Sequence, residues 1–171
     1  MTRQLSQDLQ RAQQIATTAQ VFAVITLVAI GIHIAAKVGF PMGNALFSSD
    51  LPWREEVRKI GLILISLLPA FLFFEAVNQL RHALVLYRDG EFFNSAAAER
   101  VARAGDYAVG AMVATMLVVP NLTVWITKRG GFDLNWESEM IGMLAFGLFV
   151  SAVGRVLTAA TQIKAENDSF V

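Results

Sequence analysis

Four residues in this chain are ionisable or strongly polar where the surrounding sequence is apolar: Glu75, Arg155, His33 and Asn121. Charges within apolar runs are costly unless they meet a partner or a wet cavity, so such residues mark a lock between elements or a working site. Glu75 and Arg155 each lie late in an apolar run. The two runs point the same way, which puts both side chains at similar depth and predicts an intramembrane Glu75–Arg155 ion pair. That pair would lock the bundle, or each side chain would snorkel to the interface on its own; a coupling or sensing role is the sharper reading. His33 and Asn121 lie towards the opposite surface, where a His33–Asn121 hydrogen bond is expected.

The remaining chemistry is sparse. There is no phosphate-binding glycine loop, no nucleophile elbow and no paired catalytic carboxylate. Glu55 and Glu56 are adjacent, so they point to different helix faces and cannot share a proton. The only histidines are His33 and His82, expected on opposite sides of a hydrocarbon core about 30 Å thick, too far apart to grip one haem. Cysteine is absent, which excludes disulfides and thiolate-held clusters. No catalytic residue, cofactor, metal or small molecule is therefore expected, and the chain reads as non-enzymatic. Its 14 basic residues balance 14 acidic ones, so no net field would recruit nucleic acid.

The elements that must position these residues are four apolar spans. At 55% hydrophobic and 16% charged the 171-residue chain is poorer in charge than soluble proteins, which average about 25%. Runs near the bilayer-spanning length of about 20 residues fall at about 20–36, 60–77, 107–126 and 140–157. A single all-α domain, a four-transmembrane-helix bundle, is the expected fold. Leu5, Leu9, Ala12 and Ile15 give the leading segment a helical face. Between the first two spans, Gly39, Pro41, Gly43 and Asn44 predict a loop. Asp50 and Pro52 then suit a helix start, followed by Trp53 as an interfacial anchor. Pro69 should kink the second span, and Pro120–Asn121 interrupts the third. Thr127 to Gly131 reads as a turn, and Phe132 to Glu139, with Trp136, as a short loop. Gly147, Ser151 and Arg155, Gly110 and Ala114, and Gly31 and Ala35 are spaced by four, which permits close helix packing.

The two halves meet at a polar island, Leu80 to Asn94. The second helix should run on to Tyr87 and stop at Arg88-Asp89-Gly90, with Gly90 in the left-handed cap position. Asn94 should cap the next helix, starting at Ser95. Arg88, Gly90, Glu91, Phe92, Phe93 and Asn94 thus form a helix-turn-helix-like elbow and a candidate interaction surface. Four spans put both termini and this elbow on one side. That side carries eight basic residues (Arg3, Arg11, Arg81, Arg88, Arg100, Arg103, Arg155 and Lys164) against six on the other. The positive-inside rule makes it the cytoplasmic side.

The run Leu86-Tyr87-Arg88-Asp89-Gly90-Glu91-Phe92-Phe93, the helix that follows with Val101 and Gly105, and the closing Ala165-Glu166-Asn167-Asp168-Ser169-Phe170-Val171 resemble a family of small bacterial integral membrane proteins, domain of unknown function 2975. Asn94 stands where that family commonly has Ser or Thr, a change that keeps the capping function. The resemblance implies four spans over most of the chain, a bacterial inner-membrane location, and a protein partner, either a small helix-turn-helix regulator or another membrane protein, beside the lipid bilayer itself. It carries over no catalytic residue. Pro52-Trp53-Arg54-Glu55-Glu56 also resembles the small four-helix subunit of tripartite periplasmic (TRAP) transporters, and an accessory transport role is the alternative.

Overall fold

The computed structural model describes residues 2–47, 53–127, 130–135 and 137–168. They form α1 (Thr2–Phe47), α2 (Trp53–Arg88), α3 (Ser95–Val113), a π-helical turn (Ala114–Val118), α4 (Val119–Thr127) and α5 (Ser138–Asp168). With α3, the π turn and α4 running on continuously, four helical rods are long and apolar enough to cross a membrane. Each contains one of the expected windows.

The rods pack in a row. α2 and α3 form the middle, α1 lies against α2, and α5 lies against α3, while α4 also touches α2. The core is built mainly from small residues on α3 (Ala97, Ala98, Ala102, Ala104, Ala111), with Leu67 the bulkiest fully buried side chain. Outward faces carry large apolar residues such as Phe22, Ile32, Phe71, Phe146 and Phe149, all more than half exposed. In water such a surface would aggregate; against acyl chains it is the expected coat.

α3 and α5 approach through glycine. A Cβ on Gly105 would overlap the backbone of Ser151, and one on Gly154 would overlap Ala102, while Gly147 faces Val109. Of the small-residue spacings in the sequence, Gly147–Ser151 is thus at a helix contact, and Gly110 faces Leu72 of α2. Nothing lies within 4 Å of a Cβ built on Gly31.

The predicted loop from residue 38 is corrected. α1 continues through Gly39 and Pro41 to Phe47. Extending an existing helix adds one hydrogen bond per residue fixed, and membrane helices tolerate internal Gly and Pro. The helix expected to start at Ser95 and the span expected at 107–126 are likewise one rod. Asp50 and Pro52, Lys128 and Arg129, Trp136, and the closing Ser169-Phe170-Val171 lie outside the described residues.

Candidate functional site

Three polar constellations, and a polar chain on α2 that runs from Glu75, interrupt the apolar bundle. The first sits on the α3–α5 seam. Ser151 Oγ donates to Asp106 Oδ1 at 2.6 Å, and Arg155 Nη2 lies 3.1 and 3.3 Å from the two Asp106 oxygens. Arg155 Nε also donates to Ser151 Oγ at 3.3 Å. Next to Gly105 and one turn from Gly154, this triad sits where the two backbones are closest.

Glu75 does not join it. Its carboxylate accepts from Gln79 at 2.5 Å and from Asn78 at 3.4 Å. Gln79 Oε1 in turn accepts from Arg100 of α3 at 3.2 Å. The expected Glu75–Arg155 pair is therefore corrected to Asp106–Arg155. The reason is the packing order: α3 stands between α2 and α5, so Arg155 meets α3 first. Asp106 escaped the sequence reading because it falls one residue before the apolar window at 107. The Glu75–Gln79–Arg100 chain continues on α2, where Arg81 Nη2 reaches Asn78 Oδ1 at 3.4 Å and His82 Nε2 at 3.0 Å.

The second constellation is the turn between α2 and α3. Gly90 N–H donates to Tyr87 O and Glu91 N–H to Leu86 O, a paired closure of the helix end. Gly90 has φ +88°, the conformation in which a side chain would be strained. Asn94 Oδ1 accepts from the Ala96 and Ala97 amides and starts α3. Phe92 stacks on Tyr87 with ring centroids 6.2 Å apart, while Phe93 is 70% exposed. Two contacts tie this turn to both flanking rods. Arg88 donates to Gln20 of α1 at 3.3 Å, and Lys164 of α5 lies 4.5 Å over the Phe93 ring.

The third lies at the other end, around Asn121. Proline lacks the amide that would bond four residues back, so Pro120 leaves the Met116 carbonyl free of its α-helical donor. The Asn135 amide takes it, at 3.2 Å. Asn121 then clips the same loop: its Nδ2 donates to Asp133 O and Leu117 O, both at 2.7 Å, and its Oδ1 accepts from Asp133 N at 3.1 Å. The expected His33–Asn121 hydrogen bond is corrected accordingly. Asn121 serves backbone groups that a proline and a short loop would otherwise leave open, while His33 lies on α1 and faces a cleft.

That cleft, of about 960 Å³, lies between α1, α2 and α4. Its walls include Ile30 of α1, Phe73 of α2, Val119 of α4 and Met143 of α5, together with both helix prolines, Pro69 and Pro120. His33, Lys37, Asp133 and Asn135 supply its polar end. Among the described residues no group of three or more His, Cys, Asp or Glu side chains could hold a metal ion.

No curated protein and no solved structure matches the chain. The family model described as Protein of unknown function (DUF2975) matches residues 10–171, nearly the whole chain, and the chain belongs to that family.

Proposed function

We propose that this multi-pass membrane protein is a non-enzymatic interaction protein of the bacterial inner membrane, acting through the cytoplasmic end of its bundle. The observation that carries the reading is convergence. The α2–α3 turn, the stretch of α1 around residues 13–20 and the last turns of α5 meet at one end, held by Arg88–Gln20 and Lys164–Phe93. Beside the turn lies a polar cleft lined by Gln10, Gln13, Gln14, Thr17, Thr18 and Arg88. An exposed aromatic beside a row of side-chain amides suits a protein partner better than a substrate, because it offers contact area and adaptable hydrogen bonds without a nucleophile. A helix-turn-helix regulator or a second membrane protein is the partner class that fits. The basic lean of this end favours the cytoplasm.

The test places a photo-crosslinker at Phe93, with Phe132 at the opposite end as control. Recovery at Phe93 of the product of an adjacent regulator gene is the expected result. Recovery of a large permease would replace this reading with the transport-accessory one, and capture of lipid alone at both positions would overturn it.

A further inference from the structure

The cleft between α1, α2 and α4 has three features that together specify an occupant. Its length runs from Ile25 to Lys37 along α1, about 18 Å at about 1.5 Å per residue. One leaflet occupies half of a hydrocarbon core of about 30 Å, so the cleft matches one acyl chain in depth. Its apolar part lies below and its polar part above: Ile25 on α1 and Val77 on α2 lie at one end, Lys37, Ser66 and Asp133 at the other. Finally, the polar end offers both signs of charge. Lys37 and Asp133 line it together, yet among the described residues neither side chain has an ion-pair partner.

The fold holds this arrangement in place. The clip at Asn121 and the Met116 carbonyl draws the loop back along the whole of α4 to the π turn, eleven residues before the helix end at Thr127, about 16 Å. Without it Asp133 and Asn135 would stand clear of the cleft. Hydroxyls along the cleft are turned inward to their own helices: Thr26 donates to Phe22 O, Ser66 to Ile63 O and Thr115 to Ala111 O. The wall they line therefore presents carbon and hydroxyl acceptors, with few free donors.

We infer that this cleft is a lipid site for a phospholipid whose headgroup carries a phosphate and a primary ammonium, as phosphatidylethanolamine does. Lys37 meets the phosphate, the Asp133 carboxylate meets the ammonium, His33 reaches the ester oxygens, and one acyl chain descends along α1 and α2 toward Ile25 and Val77. A purely anionic headgroup would face Asp133 with like charge, and a quaternary ammonium would offer that carboxylate no N–H donor.

The test uses the full chain reconstituted in vesicles of equal parts phosphatidylethanolamine, phosphatidylglycerol and phosphatidylcholine, released in mild detergent and weighed by native mass spectrometry. Wild type should retain phosphatidylethanolamine about two- to fivefold over either of the other two lipids, the range an interfacial charge contact supports. Asp133→Asn should erase that preference; it leaves the clip intact, since Asn121 bonds only the backbone of Asp133. Lys37→Met should lower retention of all three lipids, since each carries a phosphate. Bound lipid at the bulk ratio in wild type would overturn the proposal without recourse to any variant. So would enrichment of phosphatidylglycerol, a preference that survives in Asp133→Asn, or a lipid-free dimer whose second copy fills the cleft.

Discussion

Asp106 and Arg155 form an ion pair between two helices of this bundle, and its worth depends on what surrounds it. Both side chains are more than half exposed in the isolated chain, 51% and 69%. In water such a pair contributes about 0.2–1 kcal/mol; at the edge of a bilayer each charge left alone must snorkel or take water with it. A double-mutant cycle of Asp106→Asn and Arg155→Met should therefore give a coupling energy of about 1 kcal/mol, with either single change costing more than its share of the double. Additive losses, measured by unfolding in mixed micelles, would show that Ser151 and the glycines hold the seam alone. Gly105→Val should be the more damaging change. It drives a side chain into the Ser151 backbone, and overpacking of this kind costs about 1–3 kcal/mol or more. Its rescue by no conservative neighbour would separate backbone approach from charge. The sequence marks Arg155 as a residue that either finds a partner or snorkels to the interface, because a lone cation in an apolar run is costly. It does not show which carboxylate, because Glu75 and Asp106 are equivalent until the order of helices is known.

Among the elements, the rod Ser95–Thr127 carries the most specific device, a π turn placed just before a proline. The Val119 amide bonds back to Ala114 O across the wider turn, and Pro120 leaves Met116 O to Asn135. Pro120→Ala would restore an amide that competes for Met116 O. The expected outcome is faster hydrogen exchange in residues 130–135 with little change in global stability, since a helix gains what the loop loses. Asn121→Ala removes three hydrogen bonds at once, each contributing about 0.5–1.5 kcal/mol, and should free the loop and destabilise the fold together. At the other end Asn94→Ala should cost about 1 kcal/mol through the lost cap, and Asn94→Ser almost nothing. Helix stops with a backbone signature are legible in sequence: Gly90 and Asn94 sit where their conformations demand. The end of α1 is not, because Gly39 and Pro41 carry the same residue types as a loop and only the continuing apolar faces tell them apart. The clip is not legible either, since Asn121 bonds backbone atoms that any residue would offer.

At the scale of the whole molecule the open matter is which end faces which compartment, and the chain suits a direct answer. It contains no cysteine, so every introduced thiol is unique. Phe93 and Phe132 are 70% and 76% exposed and lie at opposite ends of the row of rods. Phe93 sits in the turn after α2, while Phe132 sits between α4 and α5. Replacing either by cysteine removes an aromatic that the fold does not bury, so both variants should fold. With the α2–α3 turn in the cytoplasm, Phe132→Cys should react with a membrane-impermeant maleimide in intact cells, and Phe93→Cys only after permeabilisation. The reverse pattern would invert the protein and move the proposed docking end to the outside, against its excess of basic residues. Reaction of both in intact cells would break the count of spans between them, since Phe93 and Phe132 are separated by one rod, Ser95–Thr127. The same labelling assigns the lipid cleft to a leaflet. Lys37 and Asp133 lie at the Phe132 end, so Phe132→Cys labelling from outside places the headgroup site in the outer leaflet, facing away from any cytoplasmic partner.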